Sequence, residues 1–280
     1  MPCGIAVAND IRNGIPRGAV DTEHLFGFTE GTDIGTVGEK EVEADSTFRS
    51  GKGTGSYANA ASEFEFKYTA FQSFRISAAG TFAYFDIAGV TGMEDRREAV
   101  AQSVSFDARF RLLDRDHSLV GLSLGIEPHW GFSDETSGVP INHFGTQILL
   151  RADREFALDR LFGALNLLFD TDRTHLLPTG GVEQEPTFGA GIALAGQILP
   201  RVWIGGEVRY LRSYDGTALK MFSGEALYLG PTLYARLGDR SWLSAAWNAQ
   251  LWGGAAGLPG ALDLTNFERY QVKFRIGFEF

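Results

Sequence analysis

The chain has 280 residues and a formal net charge of -10, with 25 Lys and Arg against 35 Asp and Glu, so it lacks the basic surplus that nucleic-acid binding calls for. A mean hydropathy of -0.08, with no run of about 18 uncharged apolar residues, excludes a bundle of membrane helices. The single cysteine, Cys3, excludes a disulfide framework and a Cys-based zinc site.

The chain begins without strand pattern. Ala6, Val7 and Ala8 fit the small-residue cleavage site of a secretory signal whose charged and apolar regions are missing, so 1–8 reads as a signal-peptide remnant. A lipoprotein reading of Cys3 fails because only Met1 and Pro2 precede it.

From residue 38 onward a period-two template predicts twelve strands. The first places Val42, Ala44 and Phe48 on one face; the second Phe64, Phe66, Tyr68 and Ala70; the third Ile76, Ala78, Phe82 and Tyr84. The fourth carries Val104, Phe106, Ala108, Phe110 and Leu112, and the fifth Val120, Leu122, Leu124 and Ile126. Next come Ile148, Leu150 and Ala152, then Leu161, Leu165, Leu167 and Phe169, where Phe162 and Leu168 spoil the polar face. The eighth shows Phe188, Ala190, Ile192 and Leu194; the ninth Val202, Ile204, Val208 and Tyr210; the tenth Leu227, Leu229, Leu233 and Ala235. The eleventh shows Leu243, Ala245, Trp247, Ala249 and Leu251. In the last, Tyr270, Val272, Phe274, Ile276, Phe278 and Phe280 alternate with Gln271, Lys273, Arg275 and Glu279. Connections alternate between tight turns (72–74, 114–117, 158–160, 200–201, 238–240) and longer, Gly-rich or polar ones (50–55, 89–99, 133–143, 171–185, 213–225, 253–266).

The final strand, ending on Phe280 with apolar residues at every second position, resembles the closing strand of Gram-negative outer-membrane β-barrels, porin- or transporter-like. That resemblance implies an all-β fold, a 12-stranded antiparallel transmembrane up-and-down β-barrel, with the closing strand read by the barrel assembly machinery. An even strand number and alternating short and long connections agree with it. A soluble barrel of this size would enclose a large unfilled apolar cavity, whereas turning the apolar face to lipid removes the difficulty. Tyr84, Trp130, Phe132, Tyr210 and Tyr270 then fall at strand ends as an interfacial girdle. Residues 38–280 are the expected barrel. Residues 1–37 are an N-terminal periplasmic tail or a small plug, the tail being the simpler case. The stretch from His24 to Gly31 resembles the mature start of uncharacterised Gram-negative outer-membrane proteins.

With the apolar face in lipid, the intervening positions line the lumen: Glu41, Glu43, Asp45, Glu63, Glu65, Lys67, Asp107, Arg109, Arg111, Glu127, His129, Arg151, Asp153, Glu207, Arg209, Arg236, Lys273, Arg275 and Glu279. Barrel closure sets Lys273 and Arg275 beside Glu41, Glu43 and Asp45, so one reading has these charges knit the wall. The other has them line a water-filled passage. Tyr57, Trp203, Tyr228, Tyr234, Asn166, Asn248 and Gln250 add hydrogen-bonding surface, and Gly189, Gly191, Ala193 and Ala195 leave space.

Barrel phospholipases place a His and a nucleophilic Ser two residues apart, and none of His24, His117, His129, His143 or His175 has Ser at that spacing. Ser123 lies about 20 Å along the strand from His129 at roughly 3.3 Å per residue, out of reach. Neither a metal cluster with ligand spacing nor a cofactor motif is found. The expected function is passive diffusion of a small polar or amphipathic solute, with outer-membrane lipid and lipopolysaccharide as surroundings. A lipid- or peptide-acting barrel hydrolase and a closed structural or adhesive barrel are the alternatives.

Overall fold

The computed structural model describes residues 20–176, 180–216, 219 and 221–280. Cys3, the Ala6-Val7-Ala8 motif and parts of the connections expected at 171–185 and 213–225 lie outside the described residues. The strands are β1 (Lys40–Ser50), β2 (Ser56–Phe71), β3 (Phe74–Ala88), β4 (Arg96–Leu113), β5 (Gly121–Ser133), β6 (Pro140–Ala157), β7 (Leu161–Leu176), the two-residue β8 (Val182–Glu183), β9 (Thr187–Leu199), β10 (Val202–Asp215), β11 (Met221–Arg236), β12 (Ser241–Ala255) and β13 (Tyr270–Glu279). Twelve of them form a closed antiparallel barrel in which each pairs with its sequence neighbours, while β8 adds to β7. Closure is between β1 and β13, with Val42 opposite Phe278 and Asp45 opposite Arg275.

The barrel is inside out relative to a soluble protein. Phe64, Phe66, Phe82, Phe106, Ile192, Leu229 and Phe274 are exposed, whereas Lys67, Arg75, Arg109, Arg151, Glu207 and Arg275 are buried. A continuous apolar belt of this kind is costly in water and at home in lipid, which identifies a transmembrane barrel. Trp130 packs between Phe106 and Phe144 and Trp247 stacks on Tyr270 toward one rim. Phe74 packs on Phe110, and Phe278 on Phe280, toward the other.

Both ends of the barrel chain, Lys40 and Phe280, share two backbone hydrogen bonds. The connections 72–73, 114–120, 158–160, 200–201 and 237–240 lie at that turn end. At the opposite, loop end the strands run on further than the sequence pattern indicates. β4 begins at Arg96, β6 at Pro140 and β11 at Met221, and β12 continues to Ala255. The connections expected at 89–99, 133–143, 213–225 and 253–266 are therefore partly strand. Above the lipid neither face is required to be apolar, so the period-two signal fades while the backbone ladder continues. The 256–269 connection folds inward: Asp263 and Glu268 are buried, Gln250 Nε2 donates to the Asp263 carbonyl at 2.9 Å, and the Tyr228 hydroxyl donates to the Glu268 carbonyl at 2.6 Å.

Residues 20–36 run inside the barrel. Leu25 and Phe26 are fully buried in a cluster with Phe162 (β7), Ala193 and Ala195 (β9), Trp203 (β10), Tyr234 (β11) and Trp242 (β12). Phe162, which disturbs the predicted polar face of its strand, points at this segment. The small residues of β9 are its seat: a Cβ on Gly191 would come within 3.0 Å of Thr29 Oγ1, and one on Gly27 within 2.6 Å of Glu207 Oε1.

Candidate functional site: the lumen

Inner-segment residues tie together charges from most of the wall. Glu23 accepts from Lys67 (β2) at 3.2 Å, bonds Arg75 (β3) through both of its carboxylate oxygens, and lies 2.9 Å from the Arg109 (β4) guanidinium. Lys67 also reaches Glu41 at 3.1 Å and Glu43 at 2.5 Å, and Arg275 Nε donates to Glu43 at 2.5 Å. Lys273 pairs with Asp45 at 2.8 Å across the closing seam. Glu30 accepts from Arg109 at 3.0 Å and Arg151 (β6) at 2.8 Å, and Asn166 (β7) bonds the Glu30 backbone in both directions. Glu207 (β10) receives the backbone N–H groups of Phe28 and Thr29 at 2.9 Å, plus Asn248 (β12) at 2.8 Å. Arg209 lies over the Phe28 ring, 3.9 Å from its centroid. Toward the turn end, Arg115 joins Asp33 at 3.0 Å and Asp153 at 2.7 Å.

These contacts fix the ionisation of the segment. Burial alone would push the Glu23 carboxyl up, but Arg75, Lys67 and Arg109 together hold it well below the usual carboxylate range. Glu30 is likewise held well below by Arg151 and Arg109 against the effect of burial. Burial pushes the His24 imidazole down, and Asp21 and Glu41 more than reverse this, so its pKa is raised. The His24 ring stacks on Trp242 at 3.7 Å between centroids.

Hollow space lies on both sides of the segment. A cavity of about 320 Å³ is lined by Glu30, Glu63, Glu65, Asp107, Glu127 and Arg151, among others. It shares His129, Asp170, Arg49 and Lys273 with a second cavity of about 460 Å³ that extends to the 134–139 and 256–269 connections. Toward the turn end a cavity of about 340 Å³ is lined by Asp33, Glu41, Arg75, Arg111, Arg236 and Trp242. Glu23 lines both the first and the third. In the first, carboxylates outnumber Lys and Arg two to one. Among the described residues neither Glu63 nor Glu127 forms an ion pair; the Thr81 hydroxyl donates to Glu63 at 3.2 Å.

Glu41, Glu43, Lys67, Arg109, Arg151, Glu207, Lys273 and Arg275 thus belong to the filled middle of the lumen, and Glu63, Glu65, Asp107, Glu127 and His129 to its loop side. Arg111 pairs with Asp114 at 3.5 Å and Arg236 donates to the Asp239 carbonyl at 3.2 Å, both near the turn end. Sequence patterning singled out none of Glu23, Glu30 and Arg115, and it did not join His143 and Asp172 to His129. His129 (β5) is drawn to His143 (β6) and Asp172 (β7), and Ser123 is buried elsewhere on β5. Among the described residues, two side-chain groups have the spacing of metal ligands: Asp21, His24 and Glu41, and His129, His143 and Asp172. In the first, Glu41 Oε1 is already held by the Lys67 ammonium at 3.1 Å, which makes an ion-pair network of it.

Comparison with solved structures shows the fold. The COG4313 outer-membrane channel from Pseudomonas putida F1 superposes with a TM-score of 0.60 at 8% identity, covering 89% of this chain and 98% of that one. The β domain of the Bordetella autotransporter BrkA gives 0.52 at 14% identity, covering 88% and 100%. The translocator domain of autotransporter NalP from Neisseria meningitidis gives 0.50 at 11% identity, covering 89% and 91%. No curated protein matches the chain in sequence. The model of one family, described as a family of unknown function, DUF6662, matches residues 18–280, and the chain belongs to that family.

Proposed function

We propose that this chain is an outer-membrane channel for a small polar solute, with residues 20–36 as a plug that sets how much of the lumen is open. The observation that carries this reading is that the segment stands between two hollow spaces of about 320 and 340 Å³, with Glu23 facing both. A purely structural barrel has no need of charged hollows on both sides of the segment that fills its middle. The closing strand supports placement in the outer membrane through the barrel assembly machinery, with outer-membrane lipid and lipopolysaccharide around the apolar belt. The mechanism is diffusion through a hydrated, charge-lined lumen. Carboxylate surplus on the loop side favours cations and neutral polar solutes over anions.

Conductance in planar bilayers tests it, comparing the full chain with a variant lacking 20–36. The full chain should conduct weakly, and the deletion variant about tenfold more, since the residues removed fill the middle of the lumen. A tight seal from both proteins, each inserted and folded, overturns the channel reading.

A further inference from the structure

We propose that His129, His143 and Asp172 form a binding site for a divalent transition-metal ion, of the zinc class, at the loop end of the lumen. This site does not depend on conduction. His129 Nε2, His143 Nε2 and Asp172 Oδ1 form a triangle whose three edges each measure 3.1 Å. Protons leave one edge of this triangle without a bond. If both imidazoles donate to the carboxylate oxygen, the two ring nitrogens stand 3.1 Å apart with nothing joining them. If one imidazole donates to the other, a ring lone pair faces a carboxylate lone pair. One cation bound to all three atoms relieves every edge. Ligands about 2.0–2.2 Å from a common ion stand roughly 2.8–3.6 Å apart as the angle at the ion runs from 90° to tetrahedral, a span that contains the triangle.

Strand register builds the cluster. His129, Gly145 and Asp172 are opposite one another on β5, β6 and β7, and Gly131, His143 and Thr174 form the next row. A Cβ at Gly145 would fall on Asp172 Oδ1 and His129 Nε2, so the glycine leaves the gap in which these atoms meet. A Cβ at Gly131 would come within 3.2 Å of the His143 ring. His143 Nδ1 lies 3.0 Å from Thr174 Oγ1; the tautomer that donates this bond leaves the Nε2 lone pair for a ligand, the usual way an outer partner orients a metal-bound histidine. All three residues line the 460 Å³ cavity, leaving room for solvent on the ion. Asp170 lines the same cavity, and its buried Oδ1 has no hydrogen-bond partner among the described residues. Two imidazoles and one carboxylate select a borderline ion such as Zn²⁺, Co²⁺ or Ni²⁺ over Ca²⁺ or Mg²⁺.

The test is titration of the untagged, folded full chain in detergent with CoCl₂, read by visible ligand-field absorption, followed by displacement with ZnCl₂. One equivalent of Co²⁺ should bind, and Zn²⁺ should displace it. His129→Ala and His143→Ala should each weaken binding by at least about tenfold, and Thr174→Val by about tenfold. Gly145→Ala retains every ligand yet fills the gap, and should also weaken binding. Heat-modifiable migration on gels checks that each variant is a folded barrel. Absence of Co²⁺ binding to the folded wild-type chain, or binding unchanged in a folded His129→Ala/His143→Ala variant, overturns the site.

Discussion

Around Glu23 the charged wall of the barrel meets protein, and around Glu63 and Glu127 the same kind of wall meets open space. In the first region Lys67, Arg75, Arg109 and Arg151 each have carboxylate partners supplied by the inner segment. In the second, Glu63 and Glu127 face a cavity and form no ion pair among the described residues. Alternation places a charge in the lumen, and what stands opposite decides whether it braces or selects. Buried ions remain ionised only when paired, so the first region is as rigid as its pairs, and the second relies on water.

Removing one partner in the filled region should have the larger effect. Glu23→Gln leaves three cations without their shared carboxylate. Breaking a buried pair costs about 3–5 kcal/mol, so the docking equilibrium of the segment should shift by roughly 100-fold or more. This is read as increased open probability in single-channel records. A folded variant with wild-type conductance would show that the segment is held by its apolar contacts alone.

Acid should separate the two regions next. Because the folded-state pKa values of Glu23 and Glu30 are depressed, their contribution to docking is fully present above the usual carboxyl range. It is lost as pH falls through their lower folded values. His24, with its pKa raised, acts in the opposite sense: its contribution is present in acid and fades as pH rises past its folded value. Conductance measured from pH 3 to pH 9 should therefore pass through a minimum near neutrality, with the steeper rise on the acid side, where two carboxylates give way. A profile without an acid limb contradicts the pairing described for Glu23 and Glu30.

The hollow region should give the smallest effect. Glu63→Gln with Glu127→Gln removes two carboxyl groups that form no ion pair among the described residues, so folding should change little, within about 0.5 kcal/mol by thermal melting. The cation-to-anion permeability ratio, from reversal potentials in a salt gradient, should fall by about twofold. Loss of folding instead of selectivity would place these carboxylates among the braces.

The barrel itself was legible because lipid imposes one rule on every strand: Phe64, Phe66, Phe106 and Ile276 must all face outward, and the rule survives without knowledge of partners. Lys273 and Arg275 could be placed beside Asp45 and Glu43 because closure of the barrel fixes that register. For residues 20–36 the sequence left a tail and a small plug both open, with the tail as the simpler case, because a segment held by individual hydrogen bonds to Glu207, Asn166 and Asp153 has no period to read. Phe162 carried the available signal, an aromatic residue on a face that should be polar. The His129, His143 and Asp172 cluster was invisible for a different reason: its members come from three strands, and their meeting depends on register and on Gly145, which chain spacing does not encode.

The inner segment touches β2, β3 and β4 through Glu23, β6 and β7 through Glu30, β10 through Phe28, and β12 through His24. Those strands surround it only after β1 has found β13. Its full set of contacts exists only in the closed ring, so their free energy is credited to the closed ring rather than to any half-built sheet. Although it comes before every strand in the chain, this segment is satisfied only when the ring is complete, and it works as a latch that favours the sealed cylinder over an open curl.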